Sequence, residues 1–179
     1  EEKELTKQEY FELIRTAKRE GKEKIGLIIQ TIGSTGIRIS ELPSITVQAV
    51  KNGVAEVDCK GKNRQVLLPR KLLVKLMYYI RKEHIQCGPI FITKQGNPLD
   101  RSNIWKEMKK ICRLAGVNEK KVFPHNLRHL FAYSFYQMEK DIAKLADLLG
   151  HSNINTTRIY IVSSGVEHRK QIEKMNLLL

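Results

Sequence analysis

Apolar residues recur at helical spacing along most of this chain and shift to alternation over one stretch. Tyr10, Leu13, Ile14 and Ala17 form one stripe, and Thr6 with Glu9 makes a T-x-x-E capping box ahead of it, which predicts an amphipathic helix over residues 7–19 ending near Gly21. Ile25, Ile28, Ile29 and Ile32 predict a second helix over 22–34. In STGIRISELPSI, Gly36 suits a tight backbone position after that helix. Arg38, Ser40 and Glu41 then open a short helical turn that Pro43 curtails. From Ser44 to Pro69 the period changes. ITVQAV, Asn52-Gly53 and VAEVDC read as a β-hairpin, and KGKNR turns the chain into a third strand, QVLLP. The expected result is a small three-stranded antiparallel sheet whose basic tip carries Lys60, Lys62 and Arg64.

Helical spacing then returns. Leu72, Leu73, Leu76, Met77 and Ile80 predict a long helix over 70–86, and PIFITKQGNPLD reads as a short extended piece and a turn. Another helix is expected over 101–115, with Lys106, Lys109, Lys110 and Arg113 as a basic face. Pro124 suits a first helical turn, after which Leu127, Leu130, Phe131, Ser134 and Phe135 give a mostly apolar face, while His125 and Arg128 share another one turn apart. Residues 139–149 repeat the pattern with Ile142, Leu145, Leu148 and Leu149, and Gly150 is the expected stop. His151 and Ser152 follow in a turn. Asn153 or Asn155 can cap a short helix whose far end carries Tyr160, and 166–179 form an amphipathic tail ending in three leucines. The fold class is α+β, mainly helical.

Composition narrows the class. A chain of 179 residues with 41% hydrophobic content supports one domain with a real core. A formal net charge of +13 points to a polyanionic partner. Aromatics at 7% favour backbone contact with a duplex over base stacking along a single strand. Cys59, Cys87 and Cys112 are odd in number, widely spaced and without C-x-x-C, so they read as reduced thiols of a cytoplasmic protein. No apolar run reaches membrane-spanning length and no signal sequence opens the chain, so no membrane partner is expected. The start at EEKELTKQEY lacks a methionine, and a preceding N-terminal partner domain is expected outside this sequence.

The candidate chemistry lies between Phe123 and Val162. His125, Arg128, His151 and Tyr160 are each, taken singly, more often structural residues. Together, two imidazoles, a guanidinium and a phenol suit holding a phosphate while a tyrosine oxygen attacks it. His125 and His129 have zinc-ligand spacing, but the hydrolytic H-E-x-x-H pattern needs Glu where Asn126 stands, so no metal or other cofactor is expected.

Four segments, TGIRISEL, CKGKNRQVLLP, HNLRH and LGHSNINTTRIYI, in that order and at those separations, resemble the catalytic domain of the tyrosine recombinases, the phage-integrase family. The resemblance runs from Leu5 to Tyr160. It implies that Arg38 and Arg128 clamp the scissile phosphate, that Glu41 supports the arginine, and that Lys60 is the hairpin lysine. It likewise implies that His125 is the histidine of H-x-x-R, His151 the later His/Trp position, and Tyr160 the nucleophile nine residues beyond it. The distance from Lys60 to Pro69 is one residue longer than the family pattern, which leaves Lys62 open as the general acid. Lys62 and Arg64 are expected DNA contacts. The implied activity is site-specific recombination of double-stranded DNA through a 3′-phosphotyrosine, without metal or ATP. A type IB topoisomerase and a non-catalytic DNA-binding module of the same fold are the alternatives. The expected organisation is a catalytic core over 1–164 and a tail over 165–179 that packs on a neighbouring subunit in a homotetramer on DNA, with a monomer when free.

Overall fold

The computed structural model describes residues 4–59, 61–122, 124–151, 153–158, 169, 172–175 and 177. Helix α1, Lys7–Arg19, opens with the expected box: Thr6 accepts from the Glu9 amide and Glu9 accepts from the Thr6 amide. Helix α2, Glu23–Thr35, is buried nearly all round, with Ile25, Leu27, Ile28, Ile29 and Ile32 inside. A helix apolar on every side belongs at the centre of a core, and α1 packs against α2 together with the helices Arg70–Lys82, Arg101–Ala115 and Pro124–Glu139.

The segment after α2 departs from the expected sheet. A 3-10 turn, Ile39–Ser44, contains Pro43. ITVQAV is then a helix, α3, Val47–Asn52, and the sheet has two strands rather than three: β1, Val54–Cys59, and β2, Lys62–Leu67. The reason is local. The Thr46 hydroxyl accepts from the Ala49 amide and starts a helix, and Val47, Ala49 and Val50 are all buried, which helical spacing allows. Asn52-Gly53 serves as the helix stop, with Gly53 left-handed at φ 75°, instead of as a hairpin turn. β1 and β2 pair antiparallel, with Cys59 opposite Lys62 and Val57 opposite Arg64. Lys60 itself lies outside the described residues.

Helix α4, Arg70–Lys82, is shorter than expected, and His84 follows it at φ 55°. Helix α5, Arg101–Ala115, has the expected bounds and is capped by Asp100. Helices α6, Pro124–Glu139, and α7, Ile142–Leu149, are joined by a sharp corner at Lys140. Helix α8, Ile154–Arg158, follows a turn in which Asn153 accepts from the Asn155 amide. The main core gathers α1 to α5, both strands and Leu127, while Ala132, Leu145 and Leu149 form a second, smaller cluster with Phe131, Phe135 and Ile142. Among the described residues no helix is long and apolar enough to cross a membrane. The described tail positions Ile172, Met175 and Leu177 are exposed; the expected tail helix otherwise lies outside the described residues.

Candidate active site and nucleic-acid interface

The end of α2 and the start of α6 bring the two expected phosphate-clamping arginines together. Arg38 comes two residues after the Gly36 stop and one after the fully buried Ile37, so its backbone is fixed to the core. Arg128 sits one turn into α6, next to Leu127 in the main core, and is itself only 5% exposed. Both line one open cleft of about 740 Å³ with His125, His151, Ser40 and Thr156. Four of the six expected catalytic residues therefore share a wall. Lys60 and Tyr160 lie outside the described residues.

The groups around the cleft are held by a dense set of polar contacts. Buried Glu41 accepts from the Arg38 amide at 2.8 Å, and its Oε2 lies 3.5 Å from the Arg38 guanidinium. Burial by itself raises the pKa of Glu41. Hydrogen bonds from Arg64 and the Arg38 amide, with the charges of both arginines, reverse this and hold it below the usual carboxylate value, so it stays ionised. On the far side, Arg128 donates to the Leu149 carbonyl at 3.0 Å. His151 Nδ1 is 2.8 Å from the hydroxyl of fully buried Thr157, which ties the turn after α7 to α8.

The imidazoles are kept neutral. Burial, then the charges of Arg128, Arg38 and Arg64, pushes His151 down to about 4. His125 is lowered by burial and by Arg128. His129, its ring centre 4.5 Å from that of His125, is pushed down to about 4 by burial and by the charges of His125 and Arg128. At neutral pH His125 and His151, which line the cleft, can therefore accept a proton or a hydrogen bond inside strongly cationic surroundings, whereas His129 lines a separate pocket with Thr6 and Asn126.

Two residues outside the sequence-based expectation belong to the same wall. Arg101 and Trp105, one turn apart at the start of α5, line the cleft, and the Lys109 ammonium sits 4.6 Å from the Trp105 ring centre. The signal was the single tryptophan of the chain, placed four residues after an arginine on the polar side of an amphipathic helix. The basic residues singled out on α5 are partly spoken for: Lys110 pairs with Glu107 and Arg113 with Glu119.

Arg64 is the clear departure. It does not project from the hairpin tip but lies within β2, its side chain 10% exposed and turned inward, while Lys62 stays exposed beside the turn. Both terminal nitrogens of Arg64 engage the Glu41 carboxylate, the second at 3.1 Å, and its Nε donates to the Leu148 carbonyl at 3.2 Å.

The family model described as "Phage integrase family" matches residues 3–165, nearly the whole chain. The chain belongs to the phage integrase family. Within this family it is similar to the tyrosine recombinase XerA of Pyrococcus furiosus, at 30% identity over 183 residues that cover 98% of this chain and 63% of that protein. The chain thus spans less than two thirds of that relative. The crystal structure of a XerA recombinase superposes with a TM-score of 0.82 at 24% identity, covering 98% of this chain and 64% of the other. A XerH site-specific recombinase bound to palindromic difH substrate, a post-cleavage complex, superposes with a TM-score of 0.80 at 23% identity, over 95% of this chain and 52% of the other.

Proposed function

We propose that this chain is the catalytic domain of a site-specific DNA recombinase that cuts and rejoins duplex strands through a covalent 3′-phosphotyrosine. The observation that carries the reading is the shared cleft: Arg38, Arg128, His125 and His151, drawn from three separate segments, line one open cationic groove. Attack on a phosphodiester adds negative charge to the non-bridging oxygens, and two guanidiniums are well matched to it through paired hydrogen bonds. Tyr160, two residues beyond the end of α8 in sequence, supplies the attacking oxygen. The phenolic oxygen bonds to phosphorus, the bond from phosphorus to the 5′-oxygen breaks, and that oxygen takes a proton from Lys60. A neutral imidazole in the cleft is in a state to receive the phenolic proton. The new phosphodiester conserves the energy of the old one, so resealing is the same step with another 5′-hydroxyl.

The partner is double-stranded DNA, in keeping with the net charge of +13 and with the circular intermediate DNA bound by the Tn1549 transposon integrase, whose fold this chain shares. The working assembly is a homotetramer on DNA in which the apolar tail packs on a neighbouring subunit. The exposure of Ile172, Met175 and Leu177 in the isolated chain supports this. The test is trapping on a nicked suicide duplex followed by peptide mapping. A covalent peptide at Tyr160, absent from Tyr160→Phe with duplex binding intact, is the expected result. A normal adduct in Tyr160→Phe would move the nucleophile elsewhere.

A further inference from the structure

The last turn of α7 ends in four carbonyls that no helical amide can reach. The His151 amide donates to Ala146 at 2.9 Å and the Gly150 amide to Asp147 at 3.2 Å. The remaining two accept from guanidiniums brought from elsewhere: Leu148 from Arg64 on β2, Leu149 from Arg128 on α6. Cations at a helix C-terminus also meet the negative end of its dipole.

Arg64 does more than cap. One planar fork spans Glu41, 23 residues before it, and Leu148, 84 residues after it. Gly150 leaves it room: a Cβ there would fall 2.9 Å from the Arg64 Cδ. The three segments joined this way each carry a reacting group. Glu41 holds Arg38, Leu148 precedes His151 by three residues, and Arg64 stands in β2, four residues past Lys60 in sequence.

We infer that Arg64 is a positioning residue for strand cleavage, which by gripping Glu41 and the Leu148 carbonyl together fixes Arg38, His151 and strand β2 relative to one another. The inference rests on the phosphotyrosine reading above. It replaces the sequence-based expectation that Arg64 contacts DNA, since a phosphate would have to displace both of its partners. Lysine cannot substitute, because a point charge cannot make a paired carboxylate contact and a third bond at a set angle.

The test measures, for Arg64→Gln and Arg64→Lys, urea stability, duplex affinity across salt concentrations, and single-turnover cleavage at saturating suicide duplex. A displacement of about 1 Å at a reacting centre costs on the order of 10²-fold, and that is the expected loss in cleavage rate for both variants. The salt slope of duplex binding should stay unchanged. Glu41→Gln should also slow cleavage, and the Glu41→Gln, Arg64→Gln double variant should be no slower than the worse single one, because one linkage is broken either way. If Arg64→Gln does not fold, Arg64→Lys, which keeps the charge, carries the same comparison. A salt slope reduced by about one with unchanged cleavage of the bound duplex would make Arg64 a phosphate contact and overturn the inference. So would full cleavage by Arg64→Lys, or purely additive losses in the double variant. Failure of the parent chain to form an adduct at Tyr160 would instead overturn the phosphotyrosine reading.

Discussion

Gly150→Ala, compared with Gly116→Ala, separates the cost of a left-handed backbone from the cost of disturbing Arg64. Both glycines end helices at nearly the same φ, 74° and 71°. Alanine at either position costs about 1–2 kcal/mol for the left-handed conformation. At Gly116 an added Cβ meets nothing within 4 Å, so the expected loss stops there. At Gly150 it meets the Arg64 side chain at 2.9, 3.0 and 3.1 Å. That side chain cannot swing freely because Glu41 and Leu148 hold it, so its bond to the Leu148 carbonyl gives way, adding about 1.5–3 kcal/mol for a hydrogen bond to a charged group. The expected totals are about 1–2 kcal/mol for Gly116→Ala and about 2.5–5 kcal/mol for Gly150→Ala. With a urea slope of about 2 kcal/mol/M, the two midpoints should differ by roughly 1 M. Single-turnover cleavage at saturating duplex should fall in Gly150→Ala and hold in Gly116→Ala. Equal urea midpoints would refute the contact energetics, and a parental cleavage rate in Gly150→Ala would refute the link from this turn to the reacting groups.

Thr6→Ala removes one arm of the α1 capping box and should cost about 1 kcal/mol in urea unfolding while leaving cleavage untouched, since Thr6 does not line the cleft. His129 and His151 titrate near 4 in the folded chain against 6.5 when unfolded, so between these values the unfolded state binds more protons. Stability is therefore full above 6.5 and falls steadily as pH drops toward 4, and His129→Gln should flatten that slope in urea midpoints measured across the window. The lowered carboxylates of Glu9 and Glu41 extend the loss below 4.5. Lys60→Ala should slow cleavage by about two to four powers of ten, yet recover on a duplex whose bridging 5′-oxygen is sulfur, because a thiolate leaves without a proton. Recovery by Lys62→Ala instead would assign the acid to Lys62.

What the sequence disclosed was local or came from a motif. The Thr6 and Glu9 box, the bounds of α5 and the Gly150 stop each depend on neighbours within one or two turns, and each matches the structure. The third strand failed at the same scale: six residues of ITVQAV fit either period, and Asn-Gly ends a helix as readily as it turns a hairpin. The deciding signal was the Thr46 cap, which is also local. Arg64 failed differently. Nothing within ten residues says that a charged residue of an exposed hairpin points inward, because its partners sit 23 and 84 positions away. Trp105 and Arg101 were hidden for a similar reason, since their helix was legible but the direction of its polar face was not.

The division of the interior into a large cluster and a small one has a kinetic meaning. Ala132, Leu145 and Leu149 bury far less apolar surface together than the assembly around α2, so α7 and the second half of α6 can open as a cooperative unit of their own while the first remains closed. Arg38 stands between Ile37 and Ile39 of the slow-opening part, whereas His151 directly follows the end of α7 in the fast-opening one. In amide exchange the two should separate into distinct protection classes. A strand-cutting centre assembled from both would then be complete only while the lesser unit is shut, which makes its opening rate a ceiling on how long the reactive arrangement persists.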